Sequence, residues 1–156
     1  MHFHDSETLD PSAQCTLVAI AYKEHGARLL PSWCEPLERA FGSDDRFGVA
    51  KLTLMEGTFL MGLLQNLVLR QAKDNDQYYY FGPPQVNFRD ALRMHNTLTG
   101  YVYLLDGVGK IRWCGSGEGT DEETANLTRM VQELLQDKTK KTNDGRQSKR
   151  TGRVRR

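Results

Sequence analysis

The segment at residues 98–115, LTGYVYLLDGVGKIRWCG, constrains the fold of this chain more than any other stretch. Tyr101, Tyr103 and Leu105 share one face of a strand, and the apolar residues between them, Val102 and Leu104, share the other. Because both faces are apolar, the strand is expected to be covered on both sides. The segment therefore predicts a buried strand near the end of the domain.

The residues that follow this strand predict a hairpin. Asp-Gly-Val-Gly at residues 106–109 tolerates the positive φ values of a tight reversal. The return strand alternates Lys110 and Arg112 with Ile111 and Trp113. This alternation predicts a strand that is half covered and lies near an edge of the sheet.

Hydrophobic periodicity predicts the other elements. A continuous apolar run at residues 16–22 is typical of a central buried strand. Two more strands are predicted at 47–54 and 77–81, and two helices at 32–41 and 58–71. The helix at 32–41 begins with a capping box from Ser32 to Glu35, and a last helix follows a capping box of Thr120 and Glu123. Between them, Asn87 is predicted to cap a helix that carries His95 on its apolar face. The last helix carries an apolar stripe made of Leu127, Met130, Val131, Leu134 and Leu135.

The predicted order of elements is β-α-β-α-β-α-β-β-α. A parallel βαβ start, a final antiparallel hairpin and a closing helix are typical of a thioredoxin-like three-layer α/β sandwich with a central mixed sheet. A flavodoxin-like fold would alternate strands and helices to the end, and the hairpin breaks that alternation.

The charge is divided unevenly along the chain. Residues 138–156 carry a net charge of +8, and residues 1–137 carry −7. The basic segment is almost free of apolar side chains, so it is predicted to be disordered when free. We therefore expect a flexible segment at 1–14, one domain at 15–137 and a basic tail at 138–156.

The basic tail has two interpretations. It either binds an anionic partner, namely RNA, an acidic protein face or acidic lipid, or it only keeps the chain soluble. The candidate residues for an anionic partner are Lys140, Lys141, Arg146, Lys149, Arg150, Arg153, Arg155 and Arg156.

Residues 33–37 partly match a thiol redox motif. Thioredoxin-type enzymes place Trp-Cys-x-x-Cys at a helix N-terminus, which lowers the pKa of the first thiol. Here Cys34 follows Trp33, but Leu37 stands where the second cysteine is needed, and no proline precedes the hairpin strand. A structural cysteine is the favoured interpretation, and a single-cysteine thiol oxidoreductase is the alternative. Three widely spaced cysteines favour a reducing compartment.

Other chemistry is not indicated. The loop at residues 115–120 lacks the glycine spacing of a nucleotide-binding motif, and its acidic neighbours would repel phosphate. The four histidines show no metal-ligand spacing with the cysteines, so no metal, cofactor or catalytic residue is predicted. The helix at 58–71 is apolar nearly all round, which predicts either a core helix or docking against a hydrophobic client or a membrane. The acidic first ten residues do not resemble a targeting presequence.

The hairpin also carries a family resemblance. The stretches GYVYLLD at 100–106 and IRW at 111–113, with Gly115, resemble the C-terminal signature of a mitochondrial ATP synthase assembly factor family, "ATPase complex subunit ten". The similarity covers residues 47–136, and neither Cys114 nor the basic tail is typical of the family.

The resemblance implies a thioredoxin-like, non-enzymatic protein of the mitochondrial matrix, peripheral to the inner membrane. It would act as a chaperone that helps the hydrophobic subunit a of the Fo sector to join the c ring. The alternative partner is a mitochondrial ribonucleoprotein such as the mitoribosome, with the tail on RNA. The signature residues are the candidates for partner binding: Gly100, Tyr101, Tyr103, Asp106, Lys110, Arg112, Trp113 and Gly115.

Overall fold

A computed structural model of the protein describes residues 13–56, 77–82 and 86–151. Its strands are β1 (Cys15–Ala21), β2 (Phe47–Glu56), β3 (Gln77–Gly82), β4 (Gly100–Asp106) and β5 (Ile111–Ser116). Its helices are α1 (Glu24–Leu29), α2 (Pro31–Phe41), α3 (Val86–Ala91) and α4 (Asp121–Thr151). The predicted helix at 58–71 lies outside the described residues.

The five strands form one mixed sheet in the order β3-β2-β1-β4-β5. The pairs β1–β2 and β2–β3 are parallel, whereas β1–β4 and β4–β5 are antiparallel. The predicted central position of β1, the C-terminal antiparallel hairpin and the closing helix are all confirmed. β4 runs antiparallel to β1, so the start of β4 lies beside the end of β1.

The sheet is covered on both faces, which gives three layers. On one face α1, α2 and α4 pack against β1, β2 and β4 around the buried side chains of Leu17, Trp33, Leu104 and Val131. On the other face Met94, which follows α3, packs with residues such as Ile20, Leu54, Tyr101 and Tyr103. β4 contributes to both clusters, so the prediction that it is covered on both sides is confirmed.

One detail of the hairpin differs from the prediction. Leu104 pairs with Trp113 but Leu105 pairs with Ile111, so a β-bulge leaves Arg112 as an extra residue. The bulge places Ile111 on the face opposite Trp113, and Ile111 is 43% exposed. The expectation that Ile111 and Trp113 share a covered face is therefore wrong.

The two predicted capping boxes have different outcomes. The Thr120–Glu123 box is confirmed: the Glu123 carboxylate accepts from the Thr120 amide at 3.1 Å, and the Thr120 hydroxyl accepts from the Glu123 amide at 3.3 Å. The Ser32–Glu35 box is wrong, because α2 already begins at Pro31. The Ser32 hydroxyl instead donates to the Leu29 carbonyl oxygen at 2.6 Å.

The third helix is shorter than predicted. α3 ends at Ala91, and Arg93 adopts a left-handed conformation with φ 56° that stops the helix. The Met94 amide then donates to the Arg89 carbonyl oxygen at 2.8 Å. His95 consequently lies beyond the helix and is exposed, and Asn87 lies inside the helix rather than at its N-cap.

The last helix is longer than its apolar stripe. Leu127, Val131 and Leu135 are buried against the sheet, as predicted, and α4 then continues through Thr151. The boundary expected at residue 137 coincides with no end of a helix. The division of the chain into a flexible start, a domain and a separate tail stays a prediction.

Candidate functional site

The first candidate site is Cys34, in the first turns of α2. Its side chain is 1% exposed and belongs to the core cluster between the helices and the sheet. Leu37, at the position where a resolving cysteine would stand, is fully buried in the same cluster. The structure therefore uses both positions for packing.

The electrostatic surroundings of Cys34 do not favour a thiolate. Burial raises the pKa of the Cys34 thiol to about 11, against an opposing effect of the Lys51 charge. Leu30, between α1 and α2, has helical dihedral angles, and its carbonyl oxygen accepts the amides of Trp33 and Cys34, each at 3.0 Å. The amides that could stabilise a thiolate at a helix start are thus already hydrogen-bonded.

Trp33 fills the space next to Cys34. Its ring is fully buried, and its Nε1–H donates to the Gly117 carbonyl oxygen at 2.8 Å. The ring centroids of Trp33 and Trp113 are 5.2 Å apart at an interplanar angle of 58°. This tilted geometry is favourable for an aromatic pair.

The glycine-rich loop after β5 is shaped around these two rings. A Cβ at Gly119 would lie 2.8 Å from the Trp33 ring, and one at Gly115 would lie 2.5 Å from the Trp113 ring. Ser32 holds the loop from the helix side, because its hydroxyl accepts from the Gly119 amide at 2.8 Å. The loop therefore lies directly over the Trp33 ring and is hydrogen-bonded to α2.

At the same end of the sheet, α1 and the start of β4 also approach each other closely. A Cβ at Gly26 in α1 would lie 2.6 Å from the Thr99 carbonyl oxygen. A Cβ at Gly100 would lie 2.7 Å from the Gly26 carbonyl oxygen. The backbones of α1 and β4 are thus in direct contact at the place where thioredoxin-type enzymes hold a proline beside the thiol.

Sequence reasoning missed Ser32, Gly26 and Gly119 as parts of this arrangement. Their partners lie far along the chain, as for the hydrogen bond between Ser32 and Gly119. The usable signal was the alternation of glycine at residues 115, 117 and 119 after a tryptophan-bearing strand. Such a pattern fits a loop that leaves room for a large ring.

The two signature tyrosines have structural partners. The Tyr101 hydroxyl accepts from the Asn96 amide at 2.9 Å, and the Tyr103 hydroxyl donates to the Leu92 carbonyl oxygen at 2.9 Å. Both side chains are buried, and burial raises the pKa of Tyr103 to about 12. The two hydroxyl hydrogen bonds hold the segment that follows α3 against the sheet.

Asp106 organises the hairpin turn. Its Oδ1 accepts the amides of Val108 and Lys110, each at 3.0 Å, and its Oδ2 accepts from Nε of Arg112 at 2.7 Å. These hydrogen bonds, led by the Lys110 amide, lower the pKa of the Asp106 carboxyl below its ordinary value. Of the eight signature residues, Lys110 and Arg112 are exposed, and Trp113 is half-buried.

The tail candidates fall in two groups. Lys140, Lys141, Arg146, Lys149 and Arg150 lie in the C-terminal half of α4, and Arg153, Arg155 and Arg156 lie outside the described residues. Partner binding by the signature and by the tail stays a prediction. Across the described ranges, no group of three His, Cys, Asp or Glu side chains could hold a metal ion.

The burial of the thiols gives a testable chemical difference. Cys114 is exposed, whereas Cys15 and Cys34 are buried. With a pKa of about 11, Cys34 has a thiolate fraction on the order of 10⁻⁴ at pH 7. We expect iodoacetamide to modify Cys114 in the native protein and all three cysteines after denaturation, as measured by peptide mass spectrometry. Native modification of Cys34 at the rate of Cys114 would contradict this assignment.

Two solved structures of bacterial thiol-disulfide proteins have a similar fold. The chain superposes on a thiol-disulfide oxidoreductase from Bacteroides fragilis with a TM-score of 0.51 and 12% identity, over 75% of this chain and 81% of that one. It superposes on a putative thiol:disulfide interchange protein DsbE from Chlorobium tepidum with a TM-score of 0.53 and 12% identity, over 80% and 83%. These likenesses confirm the thioredoxin-like fold, and at this identity they show the fold alone.

Sequence comparison identifies the family. A comparison with curated proteins found no match. The family model described as ATP10 protein matches residues 49–134, which span most of β2, the rest of the sheet that follows and most of the buried part of α4. The resemblance seen in the hairpin is thereby confirmed, and the chain belongs to the ATP10 family, a family of ATP synthase assembly.

Proposed function

We propose that this protein is a non-enzymatic assembly factor for the Fo sector of the mitochondrial ATP synthase. In this role it helps the hydrophobic subunit a to join the c ring, on the matrix side of the inner membrane. The observation that carries the proposal is the family match over residues 49–134. That region contains the whole hairpin, including its exposed Lys110 and Arg112.

The tight packing around Cys34 supports a binding role rather than a redox role. A dithiol enzyme needs an accessible thiolate and a second thiol within reach. Here Cys34 is buried with a raised pKa, and Leu37 occupies the second position. Trp33, the residue before Cys34, is in turn packed against the loop at residues 115–120.

The proposed location is peripheral to the membrane. In the ranges that the structure describes, no helix combines the length and the apolar character that crossing a bilayer requires.

Depletion and rescue test this function. Loss of the protein should lower the amount of assembled ATP synthase on native gels, and immunopurification from mitochondria should recover subunit a or the c ring. Normal ATP synthase assembly after depletion, with neither subunit recovered, would overturn the proposal.

Thiol-free variants test the non-enzymatic part. We expect rescue of assembly by Cys34→Ala, by Cys114→Ala and by the variant in which Cys15, Cys34 and Cys114 are all alanine, because no thiol takes part. Thermal unfolding of each purified variant shows whether it is folded. A folded Cys34→Ala variant that fails to rescue while Cys114→Ala succeeds would establish a thiol-dependent function instead.

The ribonucleoprotein alternative rests on the charge of residues 138–156, which is +8. It predicts that the protein cosediments with mitoribosomal particles, and that raised salt or removal of these residues releases it. Sedimentation away from ribosomal particles at low salt would exclude it.

A further inference from the structure

β5 forms one edge of the five-stranded sheet. Among the described strands it pairs with β4 alone, at the end of the strand order. Its side chains are open to solvent at this edge, because Arg112, Cys114 and Ser116 are exposed. An edge strand presents amide and carbonyl groups that are able to pair with a strand of another chain.

The hydrogen bonds to β4 identify the backbone groups that point toward the open edge. The Gly117 amide donates to the Gly100 carbonyl oxygen at 2.9 Å. Bonded residues alternate with non-bonded ones in an antiparallel pair, so the backbone of Gly115 also faces β4. Cys114 and Ser116 flank Gly115, and their amide and carbonyl groups therefore point outward. The open edge thus carries a short row of donors and acceptors around Cys114.

The charges along this edge change sign from one end of β5 to the other. Lys110 and Arg112 are exposed at the beginning of the strand, and Arg112 is paired with Asp106 at 2.6 Å. Glu118 and Asp121 are exposed beyond the end of the strand. An antiparallel copy of the same strand would therefore place opposite charges beside each other at both ends.

We propose that β5 pairs antiparallel with β5 of a second copy of this chain, about a two-fold axis at Cys114. In this register the outward groups of Cys114 meet those of the same residue in the second copy. Lys110 lies opposite Glu118 of the second copy. This contact occurs twice, because a two-fold interface uses the same surface on both copies.

The other face of β5 favours the same register. An axis at Cys114 places Trp113 opposite Gly115 of the second copy, so no two bulky side chains are directly opposed on this face. An axis at Trp113 would place the two tryptophans opposite each other. An axis at Gly115 would shorten the ladder, because the strand ends at Ser116.

This inference goes beyond the proposed assembly role and does not depend on it. Pairing at β5 joins the sheets of two copies and leaves the helices of each copy in place. A single pair of strands buries less surface than a permanent interface needs, so the dimer is expected to be transient.

Sedimentation equilibrium of the purified full chain under reducing conditions tests the pairing. We expect the mass to rise from monomer toward dimer between about 1 and 100 μM, as for a weak interface. Cys114→Ala should behave in the same way, because the thiol takes no part in the pairing.

Oxidation of the wild type by diamide tests the position of the axis. Opposed residues in a bonded antiparallel pair have Cα atoms about 5.5 Å apart, which a disulfide spans. Two Cys114 thiols then give up two electrons and two protons to diamide, which becomes the hydrazine, and a covalent dimer forms. Buried Cys15 and Cys34 should stay reduced.

Two variants at Ser116 test the backbone pairing. Ser116→Pro removes an outward amide and leaves the hydrogen bonds to β4 in place, because that amide does not face β4. We expect it to abolish the dimer and to slow disulfide trapping through Cys114 by roughly tenfold. Ser116→Ala keeps the amide and should dimerise like the wild type. Thermal unfolding shows whether both variants are folded.

A charge exchange tests the register without altering the backbone. Lys110→Glu and Glu118→Lys should each weaken the dimer by roughly tenfold, because each sets like charges opposite each other at two symmetric positions. The double variant restores the pair with its signs reversed, so its dissociation constant should return to within about threefold of the wild type. The matched control is Lys23→Glu, the same change at an exposed residue before α1, which should leave the dimer unchanged.

Three results would overturn the proposal: a mass that stays monomeric at about 100 μM, a dimer equally strong in Ser116→Pro and Ser116→Ala, or a double charge variant no stronger than the single ones. A crosslinker attached at Cys114 in mitochondria that captures another protein and no second copy would also overturn it. The purified assays contain no ATP synthase subunit. A negative result there refutes the dimer and leaves the proposed function standing.

Discussion

Trp33→Ala should lower the free energy of unfolding by about 3–5 kcal/mol, which is a large part of the stability of a domain of this size. The ring is fully buried, contacts the glycine loop and pairs with Trp113. Its removal leaves a cavity and takes the Nε1–H donor from the Gly117 carbonyl oxygen. Denaturant unfolding followed by circular dichroism measures the change.

Trp33→Phe is the matched control for this variant. Phenylalanine keeps an aromatic ring but has no donor for Gly117, so we expect a smaller loss, about 1–2 kcal/mol. Trp113→Ala should also cost less than Trp33→Ala, because Trp113 is only half-buried. If Trp33→Ala changed the unfolding free energy by less than about 1 kcal/mol, the packing of α2 against the loop at residues 115–120 would not depend on this ring.

Gly26→Ala should destabilise the protein by about 2 kcal/mol, although it replaces a helical glycine. Helix propensity alone predicts a gain of about 1 kcal/mol. The new Cβ, however, would lie 2.6 Å from the Thr99 carbonyl oxygen and 2.7 Å from its carbon. Both atoms are backbone, so α1 must shift away from β4, and overpacking of this kind costs about 3 kcal/mol.

Gly48→Ala separates this steric effect from the general effect of adding a methyl group. At Gly48 the nearest atom to a new Cβ is Oγ1 of Thr16, at 3.4 Å, which is ordinary contact. We expect a change within about 1 kcal/mol in either direction. A Gly26→Ala protein as stable as Gly48→Ala would show that the approach of α1 to β4 can relax.

Local patterns predicted the elements whose stabilising contacts are close in sequence or face a continuous core. The alternation from Tyr101 to Leu105 predicted a strand covered on both faces, and the structure buries both sets. The Thr120–Glu123 capping box set the start of α4, because its hydrogen bonds span only three residues. The hairpin signature also identified the family.

Other features depended on register or on distant partners. The bulge at Arg112 changes the face of Ile111, and a side-chain period of two does not reveal where a residue is inserted. The predicted role of Ser32 as a cap was wrong, because its hydroxyl is used by Leu29 and by Gly119. Arg93 ended α3 early through a left-handed conformation that its residue type does not suggest.

The candidate site shows the same division. The absence of a cysteine at Leu37 and of a proline before Gly100 already argued against a dithiol enzyme. The burial of Cys34, its raised pKa and the cover formed over Trp33 required the packed structure. A pKa depends on what surrounds a group in space. Residues 117 and 119 reach α2, and residue 99 reaches α1, only because the sheet brings them there.

The sequence by itself determined the order of the strands, the doubly covered hairpin strand, the family and the separation of an acidic body from a basic end. These are properties of residue type and local spacing. Only the tertiary structure decided that Cys34 is buried and that the loop at residues 115–120 covers Trp33. It also decided that the turn with Val108 lies at the same end of the sheet as Leu135 of α4. Both follow from the antiparallel return of β4 beside β1, which joins residues about 90 positions apart and cannot be inferred from local pattern alone.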